Sequence, residues 1–192
     1  MNFADGTWLN PPPQASVSAD RVTLTTGDKT DFWQSTLYGF RRDDGHFLAL
    51  PAPETFDAQL TFEAGFEQLY DQAGIMLRID ARTWIKAGIE FSDEVLNFSA
   101  VVTREGRSDW AVQQLPPAPG PFTIRLIRVG AAVIVHRRHS DGWRLLRLAD
   151  FPTGPGQIGP MACTPERAGL QVTFRDFQMG TPPDEPLHLT ED

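Results

Sequence analysis

The sequence feature that most constrains the fold is a pair of alternating patterns in QAGIMLRI (72–79) and WIKAGIEF (84–91). In both segments every second residue is apolar: Ala73, Ile75, Leu77 and Ile79 in the first, and Ile85, Ala87, Ile89 and Phe91 in the second. A period of two puts such residues on one face of an extended strand. We therefore expect two neighbouring, half-buried β-strands.

The rest of the chain also reads as short strands separated by turns such as RRDDG, HSDG and PPAPGP. The further candidate strands are residues 15–25, 46–50, 56–64, 95–103, 109–115, 122–129, 131–137, 143–149, 158–163 and 169–178. About a dozen short strands without helical crossovers predict an all-β, antiparallel β-sandwich or barrel with little or no helix. Core positions are then predicted at Ile75, Leu77, Ile89, Phe98, Leu126 and Phe174.

Length and charge limit the organisation of the chain. Its 192 residues suit one domain, which we expect to span residues 1–180. The remaining segment, TPPDEPLHLTED (181–192), is predicted to be an acidic, proline-rich tail with little order. The net charge of −8 argues against nucleic acid or an anionic membrane as the main partner.

Three further observations concern the cellular compartment. Cys163 is the only cysteine, so no intrachain disulfide can form, and we expect it to be a small core residue. The N-terminus lacks the basic start and apolar stretch of a signal peptide. The longest apolar run, residues 131–135, is too short to span a membrane. A cytoplasmic location is the resulting expectation.

The face opposite the apolar one is unusual for a solvated sheet surface. On the two opening strands it carries Gln72, Gly74, Met76, Arg78, Trp84, Lys86, Gly88 and Glu90. A tight turn at residues 92–95 would pair Phe91 with Leu96, and this register adds Asn97 and Ser99 to the same face. The small residues would form a floor and the larger ones walls, which predicts a groove. Two registers between the opening strands remain open.

The groups on this face suit a polyhydroxylated ligand. Trp84 offers a flat apolar surface on which a sugar ring can stack. Glu90, with cations nearby that favour its carboxylate form, can accept hydrogen bonds from hydroxyls. Lys86, one of only two lysines beside 15 arginines, or Arg78 would meet an anionic group. The competing interpretation is a solvated face whose charges keep the sheet soluble.

A second cluster lies in TDFWQSTLYGFRRDDGHF (30–47). We expect Phe40 in the core, whereas Trp33 and Tyr38 suit either the core or a loop that lies over the groove. The complete set of predicted ligand-binding residues is Trp33, Tyr38, Gln72, Met76, Arg78, Trp84, Lys86, Glu90, Asn97 and Ser99.

The evidence for catalysis is weak. Glycoside hydrolysis needs two carboxyl groups about 5–9.5 Å apart across the scissile bond. Glu90 is followed by Asp93 and Glu94, but this spacing differs from that of jelly-roll glucanases, and the last two residues fall in a predicted turn. We therefore predict no catalytic residue, with a sugar-active enzyme that uses Glu90 as base and Lys86 as electrophile as the alternative.

Metal and cofactor sites are not predicted either. His136 and His139, in HRRH, are three residues apart near a strand end and so do not share a face. Asp43 and Asp44 are followed by a glycine, and Asp-Asp-Gly is typical of a turn. We therefore prefer a turn to a calcium-binding loop, which needs six to eight oxygen ligands. No glycine-rich phosphate loop precedes a helix.

The strings TDFW, YGF and DDGHF, followed by YDQAGIMLRID, TWIKAGIEF and SDW, resemble the DUF1349 family. Its members are described as concanavalin A-like jelly rolls, and IGPMACTPERAGLQVTFRDFQM is similar to the last strands of that lectin/glucanase superfamily. The resemblance covers roughly residues 5–180. It implies a sandwich of two antiparallel sheets, one of them concave, but no activity. A relative labelled as a regulator of enolase implies a protein partner as a further possibility.

The leading hypothesis is noncatalytic binding of a carbohydrate, or of a small polyhydroxylated or anionic metabolite, on the concave face. The alternatives are the sugar-active enzyme and a protein-interaction module with a regulatory role in metabolism. The sequence does not determine the oligomeric state.

Overall fold

Two antiparallel sheets of seven strands each form the protein in the computed structural model, which describes residues 1–117 and 120–189. After a 3-10 turn at Phe3–Asp5, the strands are β1 (Thr7–Leu9), β2 (Gln14–Val17), β3 (Arg21–Thr25), β4 (Phe32–Gln34), β5 (Arg41–Asp43), β6 (His46–Ala52), β7 (Phe56–Ala64), β8 (Gln72–Asp80), β9 (Thr83–Ser92), β10 (Val95–Arg104), β11 (Arg107–Gln114), β12 (Phe122–Val129), β13 (Ala132–His139), β14 (Gly142–Asp150), β15 (Gly156–Cys163) and β16 (Gln171–Gly180). The predicted all-β, antiparallel sandwich is confirmed.

The two large sheets are named A and B here. Sheet A has the strand order β1-β6-β15-β8-β9-β10-β11, and sheet B has the order β14-β13-β12-β7-β16-β3-β2. Strands β4 and β5 form a separate two-stranded hairpin, the β4–β5 hairpin. Among the described residues, no helix has the length and apolarity that crossing a bilayer requires.

The core lies between sheets A and B and contains the apolar faces of both. Every second residue of β8, β9 and β10 points inward, as period two requires. The six predicted core positions are all buried: Ile75, Leu77, Ile89, Phe98, Leu126 and Phe174. This facing leaves the other side of sheet A, its outer face, to the residues predicted to form the groove.

The registers within sheet A determine which residues meet on its outer face. Strands β9 and β10 pair Phe91 with Leu96, as predicted. Strands β8 and β9 pair Gly74 with Gly88, which settles the register that the sequence left open. A Cβ atom built on Gly88 would lie 2.0 Å from the Ala73 carbonyl oxygen, so only glycine permits this approach of the strands.

The β4–β5 hairpin covers part of this outer face. Phe32 of β4 packs in a second apolar cluster with Met76, Trp84 and Cys163, and its ring centroid lies 6.0 Å from that of Trp84. Cys163 is therefore a core residue, as predicted. The expectation that Trp84 and Met76 form the walls of an open groove is wrong, because both are completely buried beneath the hairpin.

Two other predictions concern Phe40 and the C-terminal segment 181–192. Phe40 is not a core residue: it is 46% exposed and stacks on Tyr38, because it lies in the turn of the hairpin. In the predicted tail, the Leu187 carbonyl oxygen lies 3.4 Å from His136 Nε2 on sheet B. Residues 190–192 of that tail, and 118–119 of the predicted turn PPAPGP, lie outside the described residues.

Candidate functional site

A cavity of about 300 Å³ opens on the outer face of sheet A beside the β4–β5 hairpin, and we call it the inner cavity. Its rim is aromatic, formed by Trp33, Tyr38, Phe40, Tyr70 and Trp110. Its floor is polar, formed by Asp31, Gln72, Lys86 and Glu90. The floor belongs mainly to β8 and β9, whereas the hairpin and loops supply most of the rim.

The rim consists of two groups of aromatic rings, and within each group the rings contact one another. On the hairpin side, Tyr38 contacts Trp33 edge-on at a centroid distance of 5.7 Å and stacks on Phe40 at 5.5 Å. On the other side, Tyr70 meets Trp110 edge-on at 6.5 Å. Aromatic faces that line a cavity offer the apolar surface on which the C–H face of a sugar ring packs.

Lys86 lies at the centre of the floor. Its ammonium group donates hydrogen bonds to Gln72 Oε1 at 2.7 Å and to Asp31 Oδ1 at 3.0 Å. Burial works to lower the pKa of Lys86, but the Asp31 carboxylate raises it, and the net shift of the pKa is upward. Lys86 is therefore an ammonium at neutral pH, and these two bonds use two of its three N–H groups.

Glu90 begins a hydrogen-bonded chain that runs from the floor to the rim. Ser99 Oγ donates to Glu90 Oε2 at 2.6 Å, and Trp110 Nε1 donates to Ser99 Oγ at 3.0 Å. Burial raises the pKa of Glu90 above its ordinary value, although Lys86 and Ser99 act in the opposite direction. The chain fixes the orientation of both the carboxyl group and the indole ring.

Tyr70 is held at the rim in its neutral form. Partial burial and the adjacent Tyr38 phenol raise the pKa of Tyr70 to about 12. Its hydroxyl group is therefore protonated at neutral pH and can both donate and accept a hydrogen bond.

Arg78 does not contribute a free charge to the cavity. Its guanidinium makes a bidentate pair with Asp43, with distances of 2.7 Å and 2.8 Å, and it lies over the Phe32 ring. This pair joins β8 to the β4–β5 hairpin. Since Lys86 is likewise paired with Asp31, both cations near the cavity already have carboxylate partners.

The structure divides the ten predicted ligand-binding residues into two groups. Five line the inner cavity: Trp33, Tyr38, Gln72, Lys86 and Glu90. Of the others, Ser99 supports Glu90, Asn97 donates to Ser92, and Arg78 pairs with Asp43. Met76 and Trp84 are sealed under the hairpin. Whether any of these residues binds a ligand remains a prediction.

Several residues around the cavity were not selected from the sequence: Asp31, Phe40, Tyr70, Val101, Trp110, Pro165 and Glu166. A signal existed for Trp110. A tight turn at residues 105–106 pairs Val101 with Trp110, which continues the ladder already inferred for β9 and β10. Asp31 and Tyr70 carry no such signal, because they lie in connections whose positions depend on tertiary packing.

Metal binding finds no support in the part of the chain that the structure describes. No group of three or more His, Cys, Asp and Glu side chains there is arranged to hold a metal ion. Asp43 is bound to Arg78, and Asp44 Oδ1 accepts from the Asp31 backbone N–H.

Comparisons with solved structures identify the same architecture in other proteins. A Saccharomyces cerevisiae protein of unknown function superposes with a TM-score of 0.90 at 44% identity, covering 95% of this chain and 99% of that one. A GH43 protein of Bacillus licheniformis gives 0.67 at 15% identity, covering 89% of this chain and 36% of its own. A legume lectin-like domain of Entamoeba histolytica gives 0.62 at 9% identity, covering 93% and 90%. The last two show likeness of fold alone.

Comparison of sequences shows the family. The chain is 46% identical over 188 residues to "Regulation of enolase protein 1" of Saccharomyces cerevisiae, covering 97% of this chain and 94% of that protein. The family model described as "Protein of unknown function (DUF1349)" matches residues 8–182. The chain therefore belongs to the DUF1349 family.

Proposed function

We propose that this protein binds a neutral sugar ring, or a polyol of similar size, in the inner cavity and catalyses no reaction on it. The observation that carries the proposal is the combination of an aromatic rim with a buried polar floor. Ligand sites of this type pair apolar walls with a few fixed polar groups. The likeness of this chain to a lectin-like domain and to a GH43 protein is compatible with a sugar ligand but concerns the fold alone.

The floor has hydrogen-bonding capacity left over. Within the described residues, Lys86 uses two of its three N–H groups and Glu90 uses only Oε2. The remaining N–H and Oε1 provide a donor and an acceptor of the kind that sugar hydroxyls can meet. Both groups belong to β9 and point to the same side, since residues 86, 88 and 90 share one face of the strand.

The charges of the floor favour a neutral ligand over an anionic one. Lys86 is paired with Asp31, and Arg78 is paired with Asp43 outside the cavity lining. Glu90 adds a further carboxyl group to the floor. Within the described residues, a sugar phosphate or uronate would therefore meet cations that are already paired, beside the carboxyl groups of Asp31 and Glu90.

The same geometry argues against Lys86 as a nucleophile. A nucleophilic lysine must lose its proton, but Asp31 stabilises the ammonium form. Glu90 favours an enzyme, because a buried carboxyl group with a raised pKa can act as a general acid or base. Turnover of a bound sugar that is abolished in Glu90→Gln would establish this second candidate function.

A titration of the purified protein tests the proposal. Trp33 and Trp110 line the cavity, so neutral monosaccharides and polyols should change the tryptophan fluorescence in a saturable manner. Glu90→Gln should weaken the affinity about tenfold, whereas Glu63→Gln, at an exposed position of sheet B, should leave it unchanged. If uronates and sugar phosphates bind while neutral sugars do not, the proposal of a neutral ligand is wrong.

A further inference from the structure

A second cavity, of about 470 Å³, lies beside the inner one, and we call it the outer cavity. Its lining is Trp33, Thr36, Leu37, Tyr38, Ser108, Asp109 and Trp110. Three of these residues, Trp33, Tyr38 and Trp110, also line the inner cavity. The two cavities are therefore neighbours that share three aromatic side chains.

We infer that these two cavities form one extended site and that its ligand is a glycan of at least two linked pyranose rings. This inference rests on the proposed function of the inner cavity and names the ligand class more closely. One ring lies in the inner cavity over the polar floor. The next ring lies in the outer cavity against Tyr38, Trp110 and Leu37.

The chemistry of the outer cavity suits a sugar ring. Tyr38 is 51% exposed and Trp110 is 37% exposed, so each presents ring surface to solvent. Thr36 is exposed, and the Asp109 side chain is 54% exposed although it pairs with Arg147. Aromatic surface next to hydroxyl and carboxylate groups complements both the C–H face and the hydroxyl groups of a pyranose.

Leu37 provides an independent argument. It is 88% exposed and adds nothing to the core. Its φ angle is 61°, in the left-handed region that Asn, Asp and Gly occupy at lower cost than Leu. Core packing therefore does not account for the apolar side chain, and a leucine in this conformation is a candidate for a functional contact. A wall for the second sugar ring supplies that contact.

Calorimetry on a series of increasing chain length tests the inference. Xylose, xylobiose and xylotriose serve as probes, with glucose and cellobiose as a second series. We expect each disaccharide to bind at least tenfold more tightly than its monosaccharide. Equal affinities within both series would overturn the extended site and leave the single-ring site standing. Binding by none of the five probes would overturn both.

Variants locate the second ring. Leu37→Asn removes the apolar wall and suits the left-handed backbone, and Asp109→Ala removes the carboxylate. Neither residue lines the inner cavity, so both variants should keep the monosaccharide affinity and lose most of the disaccharide gain. Leu148→Asn, at a 55% exposed position on sheet B, is the matched control and should change nothing. A gain that survives both variants would place the second ring elsewhere and overturn the inference.

Discussion

Lys86 and Asp31 form an ion pair in which the two side chains are only 4% and 13% exposed, with Nζ 3.0 Å from Oδ1. The pair connects β9 to the residue that precedes β4, across 55 positions of the chain. It therefore anchors the β4–β5 hairpin to sheet A and forms part of the floor of the inner cavity at the same time.

The first prediction concerns the stability that depends on this pair. Asp31→Asn would leave the buried Lys86 ammonium without its counter-charge, so we expect a loss of about 3–5 kcal/mol in the free energy of unfolding. The matched variant is Asp43→Asn, in the pair with Arg78, because the Asp43 side chain is 33% exposed and solvent screens its charge. Urea denaturation of both variants should rank Asp31→Asn as the more damaging. The opposite ranking would contradict the assigned burial.

The second prediction concerns the core between the sheets. Phe98 is completely buried in β10, and removal of its ring should lower the free energy of unfolding by about 3–5 kcal/mol. Phe40→Ala is the control, because that ring is 46% exposed and its loss should cost no more than about 0.5 kcal/mol. A cost below about 1 kcal/mol for Phe98→Ala would mean that the inward and outward faces of β10 are assigned the wrong way round.

The third prediction concerns the close contact of β8 and β9. In Gly88→Ala the new methyl group would lie 2.0 Å from the Ala73 carbonyl oxygen, so the strands must separate. We expect a loss of at least about 1–3 kcal/mol, the usual range for overpacking. Gly65→Ala, where a methyl group would meet open space, should be nearly neutral. Equal thermal stability of the two variants would show that the strands do not approach this closely.

The fourth prediction concerns pH. His46 accepts a hydrogen bond from the Gly27 backbone N–H at Nε2 and donates from Nδ1 to the Asn10 carbonyl oxygen. This arrangement requires the neutral ring, and burial lowers the pKa of His46. The unfolded chain, with a His pKa of about 6.5, then binds the proton more readily than the folded protein does. Stability should therefore fall as the pH decreases below about 6.5, toward the folded pKa.

Other groups also titrate in this range, so the contribution of His46 must be isolated. The pKa of His136 is lowered as well, which adds a dependence of the same sign. Burial raises the pKa of Glu90, which adds a dependence of opposite sign in the pH range above the ordinary Glu pKa of about 4.3. His46→Gln removes the His46 contribution alone. The difference in unfolding free energy between wild type and His46→Gln should shrink between pH 7 and pH 5, and a constant difference would contradict the assignment.

The sequence predicts the fold well because its strand pattern is local. The register of β9 against β10 follows from the short turn between Phe91 and Leu96, which leaves few ways to pair the strands. For β8 and β9 the sequence permits two registers, and the observed one includes an irregularity between Arg78 and Asp80 that alternation does not reveal. Patterns of period two therefore determine facing more reliably than they determine registers.

The candidate site is less predictable, because it depends on what covers the sheet. Nothing near Trp84 in the sequence indicates that Phe32, more than 50 positions earlier, lies over it. An outward-facing apolar residue has the same local pattern whether it is exposed or covered by a distant segment. Asp31 reaches Lys86 for the same reason, through the placement of the hairpin. Only the ladder to Trp110 extends an inference that the sequence already supports.

The last prediction concerns Lys86, which lies at the floor of the inner cavity. Lys86→Arg keeps the positive charge, but a planar guanidinium is larger than an ammonium and cannot reproduce its contacts with Gln72 and Asp31. Lys86 is 3% exposed and lines the inner cavity, so the extra atoms must displace neighbouring groups or occupy part of the cavity. We expect sugar affinity to fall about tenfold or more, roughly 1.4 kcal/mol.

The other lysine of the chain, Lys29, provides the matched control. It is exposed, and it does not line the inner cavity. Lys29→Arg should therefore leave both affinity and stability unchanged. Circular dichroism of both variants should show the β-dominated spectrum of the wild type, which separates a loss of binding from a loss of folding. If Lys86→Arg folds normally and binds neutral sugars with wild-type affinity, Lys86 does not contact the ligand and the sugar lies outside the inner cavity.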